Sequence, residues 1–455
     1  MIQRKLYFVI LLALLTVGVA SAQEDHREHI VDSLFTVQEV TETCLACHED
    51  AATELMKTIH WTWKDKARVV PGHKGKHAIG KANSFNNYCV AIESNWERCT
   101  SCHVGYGWED ESFDFENEEN IDCLVCHDQS GTYKKDPKGA GMPMKGTDLT
   151  AVAQSVGYSS AATCGSCHFN GGGGENVKHG DLDYGLIDAD ESYDVHMAND
   201  LTCTDCHTTE SHNIQGKSMG ILTGEDSRVQ CLDCHDEDVH DSKIITKHVE
   251  KVACQSCHIP TYAKGKPTKI YWDWSTAGKD SIGEKDEYDL ETYMKKKGSF
   301  VWKKNATPEY AWYNGNTTRY LKGDKVTPGE IVKMTDPLGD RADENAKIYP
   351  FKVMRGKQIY DSQNNYLIVP QLWKGYWTHF DWNRASKVGM RAAKLEYSGQ
   401  YDFISTEMYS GINHMVAPAD EALKCRACHR GQEKRIDWEA LGYPGDQLIK
   451  KYRDE

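Results

Sequence analysis

The sequence predicts a mainly helical protein with much irregular structure, wrapped around something other than its own side chains. A small β-containing insert is expected near the C-terminal end. Three observations lead there. Seven copies of Cys-x-x-Cys-His crowd between residues 44 and 258, and an eighth follows at 425–429. The links between them are short, polar and glycine-rich, as in GTYKKDPKGAGMPMKGTD (131–148). Residues 259–420 lack the motif and alternate aromatic with β-branched residues, a strand pattern.

The elements follow in order. Residues 1–22 read as an export signal, with Arg4 and Lys5 before an apolar core and Ala20-Ser21-Ala22 before a cut near Gln23. That apolar run is short for a membrane span, and no later stretch matches it. The expectation is a periplasmic protein with no span in the mature chain. Residues 23–258 hold the first seven motifs, with too few residues per motif for an ordinary side-chain core. In 259–420, KIYWDWS, SFVWKK, EYAWYNGNTTRYLKG and KIYPFKVM suggest short strands and hairpins, and DEYDLETYMKKKG a short helix. Residues 421–455 are read as a C-terminal helix, ADEALKCRACHR, carrying the last motif.

The motif itself carries the chemistry. Two thiols three residues apart add to the two vinyl groups of a haem, and the adjacent histidine becomes a ligand of its iron. Zinc sites pair Cys-x-x-Cys units without needing a histidine after each one. The attachment pairs are Cys44 and Cys47, Cys99 and Cys102, Cys123 and Cys126, Cys164 and Cys167, Cys203 and Cys206, Cys231 and Cys234, Cys254 and Cys257, and Cys425 and Cys428. The adjacent ligands are His48, His103, His127, His168, His207, His235, His258 and His429. The cofactors are therefore eight covalently attached c-type haems, numbered here in motif order. They use 16 of the 17 cysteines and leave Cys89.

A second axial ligand must come from elsewhere. Twenty histidines minus the eight motif ones leaves twelve. His26 and His29 lie in what reads as a loose N-terminus. Among the other ten, His196 and His248 stand shortly before a motif, and His212 and His240 shortly after one, placing them to cap neighbouring haems. His60, His179 and His414 are further candidates. His73, His77 and His379 show no such pattern, which leaves His379 open to a catalytic role. A haem with two histidines suits electron transfer, and one with a replaceable or unusual ligand suits catalysis.

The net charge of −15 argues against nucleic acid or an anionic membrane as partner. An anionic substrate would need a locally basic pocket.

The blocks NNYCVAIESNWERCTSCH, HFNGGGGENVKHGDLDYG, CQSCHIP and YWTHFDW through GINHMVAP to CRACH resemble the octahaem tetrathionate reductase family. The likeness covers roughly residues 44–430. It implies that haem 2 is catalytic, with His103 on one side of the iron and Lys178 on the other. It further implies a free thiol, Cys89, beside the pocket and an acidic residue, Glu175, before the lysine. Glycines ahead of Lys178 would let the backbone approach a flat macrocycle, and an iron-ligating amine must be deprotonated. The implied activity is reduction of tetrathionate to thiosulfate, with electrons from a membrane quinol-linked cytochrome. Nitrite or hydroxylamine is the alternative substrate. A non-catalytic wire or filament cytochrome, with Cys89 an inert buried thiol, is the reading from a different class.

Overall fold

The computed structural model describes residues 25–85, 91–171, 173–217, 228–280, 283–430 and 435–449. The export signal and Cys89 lie outside the described residues.

The N-terminal half is built from short helical turns. Helix Val37–Leu45 starts on a capping box, with Thr36 Oγ1 accepting from the Glu39 N–H at 3.2 Å and Glu39 Oε2 accepting from the Thr36 N–H at 2.8 Å. Ser160 and Thr163 make the same reciprocal cap for Ala161–His168, the helix that carries Cys164, Cys167 and His168. The other motifs sit on single turns such as Leu124–His127 and Cys254–His258. A local apolar cluster (Val40, Trp61, Tyr106, Leu124, Val152) holds Val37–Leu45 and Leu124–His127 together.

The C-terminal half is organised by one nine-stranded sheet. Its centre is the pair Lys347–Asp361 and Tyr401–Gly411, antiparallel from Phe351↔Gly411 to Asp361↔Tyr401. Beyond Tyr401–Gly411 come Val332–Pro337, parallel to it, and then Thr317–Arg319. On the other side lie Thr268–Asp273, parallel to the long strand, then Gly298–Lys303 and Tyr293–Met294. Glu309–Tyr313 and Tyr366–Leu367 pair with the two ends of the long strand. Helix Trp382–Ala392 buries Trp382, Ala385, Gly389 and Met390 in the core that also contains Trp272, Phe300, Met354 and Leu367.

Three expectations need correction. Helix accounts for 24% and strand for 20% of the described residues, so helix leads only narrowly and the β part is not a small insert. DEYDLETYMKKKG forms no helix. Asp289 takes a left-handed φ of +60° and Gly298 one of +84°, and both break a helix into turns. Its residues instead enter the arms Tyr293–Met294 and Gly298–Lys303. The helix expected through ADEALKCRACHR is a single turn, Cys425–Cys428. The Asn314-Gly315 turn does form, with Gly315 at φ +93°. Its flanking strands, however, pair with Lys347–Asp361 and Val332–Pro337 rather than with each other.

Candidate active site and haem array

The histidines meet across the array. Two imidazoles bonded at about 2 Å to opposite sides of one metal ion put their ring centroids about 6 Å apart. Six motif histidines face another histidine at that spacing. The pairs are His48 with His26 (6.5 Å), His168 with His60 (6.2 Å), His207 with His414 (6.3 Å), His235 with His196 (6.1 Å), His258 with His240 (6.0 Å) and His429 with His248 (6.3 Å). His127 and His212 lie close enough to interact electrostatically. The residues present thus fit bis-histidine haems, and they do so at six pairs by distance.

Two expectations change here. His26 is not loose: its ring lies opposite that of His48 at 6.5 Å, and Asp25 caps the turn His26–Glu28 that holds it. His179 faces no motif histidine among the described residues, since His60 takes the place opposite His168. His179 instead neighbours Asp181 and His414, and burial lowers its pKa to about 3.

The attachment cysteines trace how the motifs adjoin. The thiols of Cys44 and Cys123, Cys102 and Cys167, Cys164 and Cys203, and Cys231 and Cys254 lie side by side. Electrostatic contacts link Cys126 with Cys164, Cys206 with Cys234, and Cys257 with Cys428. These sulfurs become thioethers on haem attachment, so their adjacency is what counts. The motifs run 1-3-4-5-6-7-8, with motif 2 joined to motif 4.

Not every attachment cysteine is enclosed by this packing. Cys47 is exposed, as are Cys206, Cys234 and Cys425. Cys47 differs from its motif partner Cys44, which is half-buried against Cys123. The reason is local: helix Val37–Leu45 has ended before Cys47, which lies on the following turn with its N–H donating to the Cys44 carbonyl at 3.2 Å. Motif 1 also ends the row, so only its Cys44 side meets another motif. An exposed thiol at motif spacing is still open to a vinyl group, and Cys47 keeps its assignment as an attachment residue on the motif chemistry alone.

Motif 2 stands apart. His103 is fully buried and has no histidine ring at pairing distance among the described residues. Its ring sits among Trp108 (4.8 Å), Trp61 (5.1 Å), Trp63 (5.3 Å), Phe113 (5.6 Å) and Phe115 (6.2 Å). Burial holds its pKa down to about 3, so the ring is neutral. Its Nε2 lies 2.6 Å from the Trp61 carbonyl, a bond the ring must give up before Nε2 can ligate iron.

Lysines gather at this motif. Lys81, Lys135 and Lys178 each act electrostatically on the Cys102 thiol. Lys81 lies 3.9 Å from the Trp63 ring centroid and donates to the Cys99 carbonyl at 3.4 Å. Lys135 pairs with buried Asp122 at 2.9 Å. Burial, then the neighbouring Lys81 ammonium, hold the Lys178 amine down at about 8. A cluster of lysines thus stands at motif 2 inside an acidic protein, the local basic charge that an anionic substrate would require.

The loop bearing Lys178 is fixed from behind. Lys352 is fully buried and donates to the Val177 carbonyl at 2.7 Å and to the Thr268 hydroxyl. Asp181, 2% exposed, accepts from the N–H groups of Asn413 (2.8 Å) and His414 (3.1 Å) and from His414 Nδ1 (3.1 Å). The cysteine-bearing turn is held from the sheet side: Trp373 Nε1 and Lys374 Nζ each donate to the Glu97 carboxylate at 2.7 Å.

The remaining sequence candidates lie elsewhere. Glu175 Oε1 accepts from the Tyr184 N–H at 3.2 Å. His379 Nδ1 accepts from the Asp381 N–H at 3.0 Å, a local turn contact. His73 pairs with Asp324 at 2.8 Å, and His77 Nε2 lies 2.9 Å from the Lys74 carbonyl. Sequence reasoning missed Lys81, the aromatic cage and the ligand role open to His26. No sequence signal pointed toward the last, since His26 lies in a stretch that reads as a loose N-terminus.

Residues 269–432 match the family described as bacterial cytochrome c, and residues 189–265 match cytochrome c7 and related cytochrome c. An uncharacterized protein of Archaeoglobus fulgidus is 26% identical over 260 residues, covering 46% of this chain and 86% of that protein. The crystal structure of octahaem cytochrome c from Shewanella oneidensis superposes with a TM-score of 0.89 at 49% identity, covering 94% of this chain and 98% of the other. The chain therefore belongs to the octahaem cytochrome c family, the octahaem tetrathionate reductase group that its sequence blocks resemble, and it carries covalently bound c-type haems with iron.

Proposed function

We propose that the protein is a periplasmic reductase that splits tetrathionate into two thiosulfates at haem 2. The observation that carries this reading is the isolation of His103. His103 has no histidine ring at pairing distance among the described residues, and Lys178, Lys81 and Lys135 converge on its motif; His127, which also lacks one, has His212 within electrostatic reach instead. Lys178 and His103 would hold that iron. Histidine pairs would hold the other haems, with Glu175 and His379 left to supporting contacts. The haems supply one-electron carriers, and the order of motifs gives a route that reaches motif 2 through motif 4.

The chain's own groups divide the work. Lys81 holds a sulfonate end of the dianion and offsets the protein's negative charge. Lys178 is poised near neutrality, so its amine can serve as a ligand and yield to substrate. In the reaction, the Cys89 thiolate attacks one central sulfur. The central S–S bond breaks, thiosulfate leaves, and a Cys–S–S–sulfonate remains. Two electrons then break that new S–S bond, returning the thiolate and a second thiosulfate. The electrons come from a quinol-linked cytochrome of the membrane. No helix among the described residues is long and apolar enough to cross a membrane.

A second reading, nitrite or hydroxylamine reduction, draws on the same haem and would make no use of Cys89. A turnover assay with tetrathionate, nitrite and hydroxylamine, using a reduced dye as donor, separates them. Tetrathionate turnover at a rate well above the other two is expected. Turnover of the nitrogen substrates alone would transfer the assignment to them, and no turnover of any would leave an electron carrier.

A further inference from the structure

The Nδ1 atoms of the paired histidines have partners of two kinds. Backbone carbonyls face His127 (Gly157, 2.8 Å), His207 (Gln215, 2.8 Å) and His248 (Ile244, 2.8 Å). Carboxylates face His212 (Glu54, 2.9 Å), His414 (Asp181, 3.1 Å) and His429 (Asp446, 2.7 Å). The two kinds fall together on the pairs 207/414 and 248/429, each with one carbonyl and one carboxylate, and likewise on His127 and His212, which lie within electrostatic reach of each other. The pair 240/258 has neither among the described residues. At 196/235 the nearest carboxylate, Asp194, is 3.8 Å from Nδ1, too far for a hydrogen bond.

We propose that Glu54, Asp181 and Asp446 are positioning residues that make haems 3, 5 and 8 the low-potential members of the array. A carboxylate accepting the Nδ1–H fixes the ring's tautomer and makes the imidazole a stronger donor. Its negative charge also favours the ferric ion, which carries one more positive charge than the ferrous. Both effects oppose reduction. One electron is exchanged at each iron, the Nδ1–H stays on its ring, and no bond is made or broken. A charge acts more strongly where water is excluded. Asp181 and Asp446 are 2% and 7% exposed, whereas the Glu54 side chain is 32% exposed, so Glu54 has the smallest effect. Asp181 also makes the active-site loop part of this system, because it lies three residues after Lys178.

The competing account is structural. Asp181 holds the turn at Asn413–His414, and Asp446 accepts from the Arg430 N–H at 2.6 Å and the Leu448 N–H at 2.9 Å. Asp181→Asn, Asp446→Asn and Glu54→Gln keep an acceptor of the same shape and remove the charge. The holoprotein variants are titrated potentiometrically, followed by absorbance and electron paramagnetic resonance. In each variant one haem of eight should move to higher potential, least in Glu54→Gln, with low-spin spectra retained. Asp446→Glu, which restores the charge, should return haem 8 toward its original potential. Unmoved potentials with intact bis-histidine signals would overturn the proposal alone. Absence of bis-histidine signals from the unmodified protein would overturn the axial pairing on which it rests. Asp446→Asn decides the matter even if Asp181→Asn does not fold, since Asp446 lies outside both large core clusters.

Discussion

The side chain of Asn95 accepts the backbone N–H of Leu372 at 2.7 Å and that of Trp373 at 3.1 Å, and donates to the Pro370 carbonyl at 3.1 Å. One carboxamide, 3% exposed, therefore joins the segment that leads into Cys99 and Cys102 to the turn preceding helix Trp382–Ala392. Two blocks 277 residues apart are parts of one wall.

Asn95→Ala leaves three backbone groups without that partner in a buried place. A cost of about 2 kcal/mol is expected, read as a lower midpoint in thermal unfolding. The haem 2 absorbance should change before the other seven, because the loosened segment carries that motif alone. A uniform change in all eight would place the damage elsewhere.

Lys178→Ala should convert one haem of eight to a high-spin or water-ligated form, seen by electron paramagnetic resonance. An unchanged spectrum would remove Lys178 from the coordination sphere. Its amine is held near 8 by burial and Lys81, so in a haem-free chain it gains or loses a proton around that pH. Iron binding takes the deprotonated form and so competes with protons.

Lys81 and Cys89 separate substrate classes. Lys81→Ala should raise the KM for dianionic tetrathionate several-fold, about 1 kcal/mol of lost ground-state attraction, with little effect on neutral hydroxylamine. Cys89→Ala should lower kcat for tetrathionate far more than for hydroxylamine. Equal losses on both substrates would make the thiol a packing group.

What was legible in the sequence was what is local in the chain. Haem attachment needs two cysteines and a histidine within five residues, so the eight sites could be read directly. How enclosed each thiol is could not be, as the contrast between exposed Cys47 and half-buried Cys44 shows. The second ligands are contributed across long separations, as with His60 opposite His168 and His414 opposite His207. Adjacency to a motif was a useful guide at His196, which meets His235, and at His240, which meets His258. It said nothing about His26. The sheet was underestimated because its long strand, Lys347–Asp361, is buried on both faces over much of its length and so does not alternate cleanly. Resemblance supplied Lys178, which residue chemistry alone would read as a solvated surface charge.

Lys269 offers a test of the sheet core. Its Nζ is buried 3.4 Å from the Phe300 ring centroid, 4.3 Å from that of Trp272 and 4.7 Å from that of Trp302, with no hydrogen-bond partner among the described residues. The rings attract an ammonium, but burial outweighs them, and together with Lys297 and Lys352 it lowers the pKa from 10.5 to about 6. Between those values the unfolded chain binds a proton that the folded chain does not. Stability from this residue therefore rises with pH from about 6 to about 10, and its full penalty is felt below that window. Lys269→Met removes the amine and keeps the stem. It should raise the thermal midpoint at pH 7 by an amount equivalent to about 1–3 kcal/mol, with a smaller gain at pH 10. A loss of stability at pH 7, or a gain that does not shrink as pH rises, would mean that the aromatic box stabilises the charged amine.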